Sequence, residues 1–227
     1  MSTALMYSFA QRADARVLDE PLYGYFLART GADRPDREAT LSIWPTTADG
    51  ALRHMRATEE EESGSRVLFC KHIANHAEGL PWSAFEGHRH VLLFRNPAAV
   101  MASYSAHIER PLMRDVGFDH QFRLFEQLSA AGTPPVVVCS DRLQADPSGT
   151  LGRLCTALGL EWSPSMMHWT PGPRPEDGPW APWWYRGVHA SSGWEARPTG
   201  THEVPPHLAE LHSACQGFYD TLIQHAI

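Results

Sequence analysis

An arginine and a serine lie eight positions apart where an apolar strand passes into a helix. The pattern predicts a strand over 90–94 that ends at Arg95, a sharp turn, and a helix that carries Ser103. In an open parallel sheet, ligands bind outside the carboxyl ends of the strands. A guanidinium there can bind a phosphate through two parallel hydrogen bonds, and a serine hydroxyl can add another. An ordinary strand-to-helix turn with a surface arginine fits the spacing equally well.

Residues that can transfer protons follow two other predicted strands. Glu20 comes directly after a strand at 16–19, and Lys71 and His72 follow a strand at 66–70. The carboxyl ends of parallel strands share one edge of a sheet, so these groups are candidates for acid–base chemistry. The alternative for Glu20 is a structural role, as a cap or an ion pair in a turn.

Two further residues near these strands are weaker candidates. His76 lies four positions after His72, so both share one face if the segment is helical. Such a pair can bind zinc, but the pattern marks no third ligand, and we expect no metal. We also expect Asp19 to point to the side opposite Glu20, because side chains alternate along a strand.

The segment 162–194 holds six of the eight tryptophans together with many prolines and glycines. Its best candidates for an aromatic wall over a bound substrate are Trp183, Trp184 and Tyr185. The whole of 162–200 can then act as a lid or as part of the substrate site. Packing of a long, irregular segment against the sheet is the alternative.

Short apolar strands alternate with helices along the chain. Strands are predicted at 16–19, 66–70, 90–94 and 135–139, and helices at 2–12, 22–29, 51–62, 97–108, 121–131, 146–158 and 205–225. This alternation predicts an α/β fold of three layers, in which helices cover both faces of a mostly parallel sheet. We expect a single domain over 1–227.

The composition restricts the partners and the compartment. A formal net charge of -7 argues against general nucleic-acid binding, which requires a basic surface. No apolar run approaches the roughly 18 residues of a membrane helix, and the first residues lack the pattern of a signal peptide. The four cysteines are far apart and form no C-x-x-C pair, which favours reduced thiols. We expect a cytoplasmic protein without a nucleic-acid or membrane partner; its oligomeric state stays open.

Several of these segments resemble one family. Arg95-Asn-Pro followed by Ser103 is similar to the segment by which sulfotransferases hold the 3′-phosphate of the activated sulfate donor, PAPS (3′-phosphoadenosine 5′-phosphosulfate). The stretch 138–160 resembles the strand and helix that come next in that family. The stretches 2–23 and 169–193 resemble the opening and the tail of a bacterial and fungal sulfotransferase-like branch. Together these blocks cover nearly the whole chain.

The resemblance implies a P-loop-type α/β sheet. It also implies that PAPS is the co-substrate and that the reaction requires no metal ion. By this resemblance, Arg95 and Ser103 hold the 3′-phosphate, while Ser2 and Thr3 lie at the 5′-phosphosulfate. In the family, a strand and a Gly-Pro-Arg-like loop precede the Ser-Thr pair, whereas the sequence here begins at Met1. Relative to the family, the chain therefore lacks that strand and loop. Either its start is drawn too late, or the loss is real.

The resemblance also implies roles for the residues at the other strand ends. A carboxylate at Glu20 is similar to the base of some bacterial sulfotransferases. Lys71-His72 resembles the Lys-x-His of cytosolic sulfotransferases, with a spacing that differs by one residue. We therefore expect Glu20 or His72 to take the acceptor's proton and Lys71 to stabilise the leaving oxygen. His76 is expected to line the acceptor site.

Two functions follow from the resemblance. The first is a sulfotransferase that moves a sulfuryl group from PAPS to a hydroxyl or amine of a small-molecule acceptor. The second is a non-catalytic or repurposed binding protein of the same descent that has lost the 5′-phosphosulfate loop. A P-loop kinase is disfavoured, because the sequence contains no G-x-x-x-x-G-K-[ST] motif.

Overall fold

The computed structural model describes residues 1–61, 66–104, 108, 110–198 and 200–227. Within these residues the strands are β1 (Ala15–Asp19), β2 (Val67–Lys71), β3 (Val91–Phe94) and β4 (Val136–Cys139). The α-helices are α1 (Ser2–Ala10), α2 (Tyr23–Thr30), α3 (Arg37–Ile43), α4 (Ala48–Glu61), α5 (Pro97–Tyr104), α6 (Met113–Val116), α7 (Phe118–Ala130), α8 (Ser140–Ala145), α9 (Pro147–Leu158), α10 (Ala181–Trp184), α11 (Arg186–His189) and α12 (Ala209–Leu222). Short 3₁₀ helices lie at Ala74–Ala77, Trp82–Phe85, Pro164–Met167, Pro206–Leu208 and Ile223–His225.

The strands form parallel pairs. β1 pairs with β2, so that Asp19 lies opposite Lys71, and β3 pairs with β4, so that Phe94 lies opposite Cys139. Parallel strands need a crossover connection, and helices supply it here. The predicted α/β class is therefore confirmed. In each pair, candidate site residues stand at or just beyond the carboxyl ends of the strands.

The chain divides into two compact units. The first comprises 1–86 and 163–194, and the second comprises 87–162 and 195–227. The first unit therefore contains the β1–β2 pair and the Trp-rich segment, while the second contains the β3–β4 pair and helix α12.

Helix α1 lies in the core of the first unit. Five consecutive residues of this helix, from Leu5 to Phe9, are buried, and the polar one among them, Ser8, donates a hydrogen bond to the carbonyl of Met166. The ring of Phe9 stacks on Phe69 of β2, with 4.4 Å between the ring centroids. The helix begins at Ser2, close to the predicted start, but no side chain caps it. It ends at Ala10, two residues earlier than predicted.

In the second unit, local sequence signals set the helix ends. The side chain of Asn96 accepts a hydrogen bond from the backbone N–H of Ala98 at 2.9 Å, and this turn leads into α5. Helix α9 begins where predicted: the carboxylate of Asp146 accepts from the N–H of Gly149 at 3.0 Å. Gly159 ends this helix with a left-handed φ of 70°.

Two further findings concern membrane-spanning helices and disulfide bonds. Among the described residues, no helix is long and apolar enough to cross a membrane. None of the four cysteines, all of which lie in the described part of the chain, forms a disulfide.

Candidate functional site

A buried group of ionisable side chains stands at the carboxyl ends of β1 and β2. We call it the Lys71 cluster: Asp19, Glu20, Lys71 and Tyr185. Lys71, the only lysine of the chain, is 4% exposed. Its ammonium donates to Asp19 Oδ1 at 3.0 Å, to Glu20 Oε1, and to the hydroxyl of Tyr185 at 2.5 Å. An ammonium has three donors, so these bonds use all of them.

Both carboxylates reach Lys71 because the backbone turns sharply at Glu20. Its φ of 42° is uncommon for a residue with a side chain. The N–H of Glu20 still donates to the carbonyl of Lys71 at 2.9 Å, while its own carbonyl accepts from the N–H of Tyr23 at 2.9 Å and from Trp44 Nε1 at 3.1 Å. The predicted separation of Asp19 from Glu20 is therefore wrong. Strand alternation ends with β1, and the turn brings both carboxylates to one ammonium.

Asp19 fastens the Trp-rich segment to the end of β1. The hydroxyl of Tyr185 donates to this carboxylate and lies 2.8 and 2.9 Å from its two oxygens. The indole Nε1 of Trp180 and the backbone N–H of Gly178 each donate to Asp19 Oδ2 at 3.1 Å. Asp19, which is 1% exposed, is thus a central member of the site that the sequence prediction missed. The available signal was the adjacent Asp-Glu pair at a strand end.

The protonation states of the cluster follow from its burial and its charges. Burial raises the pKa of Asp19; the charge of Lys71 opposes this shift, and that of Glu20 adds to it. Burial disfavours the charged form of Lys71, but the two carboxylates more than offset this and raise its pKa. Burial, followed by the charges of Glu20 and Asp19, raises the pKa of Tyr185. The cluster therefore holds an ammonium and a neutral phenol beside the two acidic side chains.

His76 lies against Glu20 in an aromatic environment. Its ring stacks on Tyr23 and Phe26, with centroid distances of 4.9 and 4.4 Å. Its Nδ1 is 3.7 Å from Glu20 Oε2, which is beyond hydrogen-bonding distance. The structure therefore brings His76 together with Glu20 and Lys71, while its expected place in the acceptor site stays a prediction.

We expect acid to destabilise the protein through His76. Burial, followed by the positive charges of Lys71 and Arg34, lowers the pKa of His76 to about 3. An unfolded histidine titrates near ~6.5. Between these values the unfolded chain binds a proton that the folded chain does not. The free energy of unfolding should therefore fall as the pH drops below ~6.5, by at most about 1.4 kcal/mol per pH unit.

Denaturant unfolding at neutral pH and near pH ~5 measures this effect. His76→Phe keeps an aromatic ring in the stack but cannot titrate, so its stability should depend less on pH than that of the wild type. His202→Gln, at an exposed histidine, is the matched control and should follow the wild type. Equal slopes for the wild type and His76→Phe would contradict the expectation.

His72 occupies a different environment from His76. Its ring lies 6.2 Å from that of Phe85, in an edge-to-face arrangement. The 3₁₀ helix begins only at Ala74, so His72 lies outside it, and the condition for a helix face shared with His76 is not met. In the part of the chain that the structure describes, no group of three His, Cys, Asp or Glu side chains is arranged to hold a metal ion.

The three aromatic residues predicted to form a wall differ in burial. Tyr185 is buried, with its hydroxyl in the Lys71 cluster, whereas Trp183 and Trp184 are each 45% exposed. Trp169 and Trp180 are the buried tryptophans among the described residues of this segment, and Trp180 meets Tyr23 edge-on, with 4.8 Å between centroids. Trp183 and Trp184 remain predictions for acceptor contacts, while Tyr185 belongs to the charged site itself.

The residues predicted to bind phosphate have no competing polar partners among the residues that the structure describes. Arg95 follows β3 in the second unit and is half-buried, while Ser103 is exposed on α5. Within the described residues, neither side chain forms a hydrogen bond or an ion pair, and the same holds for Ser2 and Thr3 at the start of α1. These groups are chemically suited to an anion. Their role in binding one stays a prediction.

The chain matches a known protein family. A family model described as a sulfotransferase domain matches residues 1–226. The chain therefore belongs to the sulfotransferase domain family, which confirms the resemblance seen in the sequence.

Two plant proteins are similar to the whole chain. It is 37% identical over 227 residues to branched-chain-amino-acid aminotransferase-like protein 1 of Arabidopsis thaliana. It is 36% identical over 226 residues to the similarly named protein 2 of the same plant. Each alignment covers 99% of this chain but 40% of the relative, so the chain spans about two fifths of the length of the curated relatives that it matches.

Two solved structures share the fold. The sulfotransferase domain of the Synechococcus PCC 7002 olefin synthase superposes with a TM-score of 0.58 at 12% identity, over 94% of this chain and 89% of that domain. The sulfotransferase domain from the curacin biosynthetic pathway gives a TM-score of 0.51 at 12% identity, over 98% and 93%. At this identity the likeness concerns the fold alone.

Proposed function

We propose that the chain is a PAPS-dependent sulfotransferase that transfers a sulfuryl group to a hydroxyl or amine of a small-molecule acceptor. One observation carries the proposal. In a chain of the sulfotransferase domain family, the carboxyl ends of two parallel strands hold a buried carboxylate beside an ammonium. Open α/β sheets bind their ligands at this edge.

In this proposal Glu20 is the general base. Its Oε1 accepts from Lys71, whereas its Oε2 has no hydrogen-bond donor among the described residues. Oε2 can therefore receive the proton of the acceptor hydroxyl or amine. As that proton moves to Glu20, the acceptor oxygen or nitrogen bonds to sulfur, and the bond between sulfur and the leaving phosphate oxygen breaks. His72, which follows Lys71 directly in the chain, is the alternative base.

The donor would be held by residues that are otherwise uncommitted. Arg95 and Ser103 suit the 3′-phosphate, and Ser2 and Thr3 suit the 5′-phosphosulfate, because none of these side chains has a polar partner among the described residues. Lys71 can stabilise the leaving oxygen only by exchanging one of its present bonds, since all three of its donors are engaged. Its main part in the proposal is therefore to orient Glu20.

We expect 3′-phosphoadenosine 5′-phosphate (PAP), the desulfated product of the donor, to raise the Tm of the protein. A ligand at 100 times its Kd stabilises the folded state by about 2.7 kcal/mol. Arg95→Ala should weaken PAP binding about 10- to 100-fold, because charge-assisted hydrogen bonds contribute about 1.5–3 kcal/mol. Thermal unfolding with a titration of PAP measures both effects.

Two controls make this test specific. Arg123→Ala removes a guanidinium that pairs with Asp119 on the surface of α7, and it should leave PAP binding unchanged. Adenosine 5′-phosphate lacks the 3′-phosphate, so Arg95→Ala should not change its effect. The absence of any stabilisation by millimolar PAP would refute the proposal. Binding of PAP without turnover of labelled PAPS on a broad acceptor panel would instead identify a non-catalytic binding protein.

A further inference from the structure

We propose that Asp19 is a positioning residue that strengthens Glu20 as a proton acceptor by sharing the single ammonium of Lys71. The inference rests on the proposed function, in which Glu20 takes the acceptor's proton. Asp19 itself does not contact the acceptor in this scheme; it acts through Lys71.

The charge balance of the cluster is the first argument. Lys71 Nζ contacts Asp19 Oδ1 at 3.0 Å and also Glu20 Oε1, so one positive charge faces two negative charges. A carboxylate paired alone with a buried ammonium holds a proton poorly, because the ion pair favours its charged form. When a second carboxylate shares that ammonium, one unit of negative charge is left over. The pair of carboxylates then takes up one proton more readily.

Burial makes this effect large. Asp19, Glu20 and Lys71 are 1%, 7% and 4% exposed, respectively, so water and salt screen their interactions only weakly. Burial also raises the pKa of Asp19, and the nearby charge of Glu20 adds to this shift. A surface pair with the same distances would show little of this coupling.

The other ionisable groups around the cluster do not remove the excess negative charge. His76, beside Glu20, is neutral because its pKa is lowered to about 3. Arg34 and Asp36, which act on Tyr23, carry opposite charges. Tyr185 and Tyr23 stay protonated, because their pKa values are raised.

A separate set of contacts engages Asp177. This carboxylate accepts from the hydroxyl of Tyr7 on α1 and from the backbone N–H of Arg174, and it lies 2.9 Å from His189 Nε2.

Hydrogen bonds from the Trp-rich segment hold the carboxylate of Asp19 in contact with Lys71. Its Oδ2 accepts from the N–H of Gly178 and from Trp180 Nε1, both at 3.1 Å. Only glycine fits at 178, since an added Cβ would lie 2.1 Å from the ring of Trp180. The folded segment therefore holds Asp19, and Asp19 holds the ammonium. The ammonium bonds to Oε1 of Glu20, which leaves Oε2 as the oxygen that Lys71 does not occupy. This chain of contacts is why we regard Asp19 as a positioning residue.

Asp19→Asn is the direct test, because it keeps the size of the side chain and removes its charge. Lys71 then faces Glu20 alone, and the base becomes weaker. We expect the acidic limb of the kcat–pH profile to move about one unit to lower pH. The plateau value of kcat should fall roughly 10-fold, whereas the KM values for PAPS and acceptor should change by less than about 3-fold.

Asp177→Asn is the matched control. Asp177 fastens the same segment of the chain through the hydroxyl of Tyr7 at 2.7 Å and through His189 at 2.9 Å, without a contact to Lys71. This variant should lower Tm and leave the acidic limb in place. An unmoved limb in Asp19→Asn, or an equal shift in Asp177→Asn, would overturn the inference.

A second variant covers the case in which Asp19→Asn fails to fold. Asp19→Glu keeps the negative charge and changes its distance, so kcat should fall while the limb stays within a few tenths of a pH unit. A shift of the acidic limb to lower pH in Asp19→Glu would contradict the inference even without the asparagine variant.

The wild type separates failure of the function from failure of the inference. If it transfers no sulfuryl group at all, the proposed function fails and the inference fails with it. Turnover with an unmoved limb refutes the inference alone.

Discussion

Glu20→Gln is expected to lower kcat by about 10²- to 10⁴-fold, the usual contribution of a general base. The amide keeps the shape of the side chain and can still accept from Lys71, but it cannot take a proton. The remaining ammonium–Asp19 pair is electrically balanced, so the fold should persist. Steady-state turnover of labelled PAPS, with Tm measured in parallel, separates loss of the base from loss of structure.

Two controls decide between Glu20 and His72 as the base. Glu38→Gln changes an exposed carboxylate of the first unit and should leave kcat unchanged. His72→Gln should reduce kcat far less than Glu20→Gln does. The reverse ranking would assign the base to His72, and comparable losses would mean that both residues take part in the proton transfer.

Lys71→Met is expected to lower the free energy of unfolding by about 3–5 kcal/mol, the usual cost of removing one partner from a buried ion pair. The reason is that Asp19 and Glu20 would stay buried without a cation. The deficit should shrink as the pH falls from neutral toward ~5, because the folded variant then holds a proton that the unfolded chain lacks. Denaturant unfolding at several pH values measures both the size and the pH dependence.

A double variant gives the control for Lys71→Met. If uncompensated charge is the cause, adding Glu20→Gln to Lys71→Met should restore part of the lost stability. The combined variant carries one buried carboxylate in place of two. A double variant less stable than Lys71→Met alone would show that lost packing, and not charge, explains the loss.

Features that depend on local signals were predicted well from the sequence. Asp146 and Gly159 mark the ends of α9 because a cap and a left-handed glycine act within a few residues. Glu20 and Lys71 were placed correctly at the sheet edge because residues at the end of a strand lie there. Such signals need no knowledge of distant contacts.

The arrangement within the site could not be predicted in the same way. Asp19 joins Glu20 because of a single backbone turn with a positive φ, which strand alternation does not anticipate. Tyr185 joins them from more than a hundred positions away, after the Trp-rich segment has folded back onto β1. Only the structure shows that one ammonium serves both carboxylates.

The composition of the cluster has a practical consequence. All the other residues counted in the Lys+Arg total are arginines, so this sequence contains a single ε-amino group. That amine lies in the interior, charged and with all of its donors engaged. Acylating reagents attack only an uncharged, accessible amine, so a molecule modified at this position must have opened at the ends of β1 and β2. The rate of acylation therefore reports how often this one place opens.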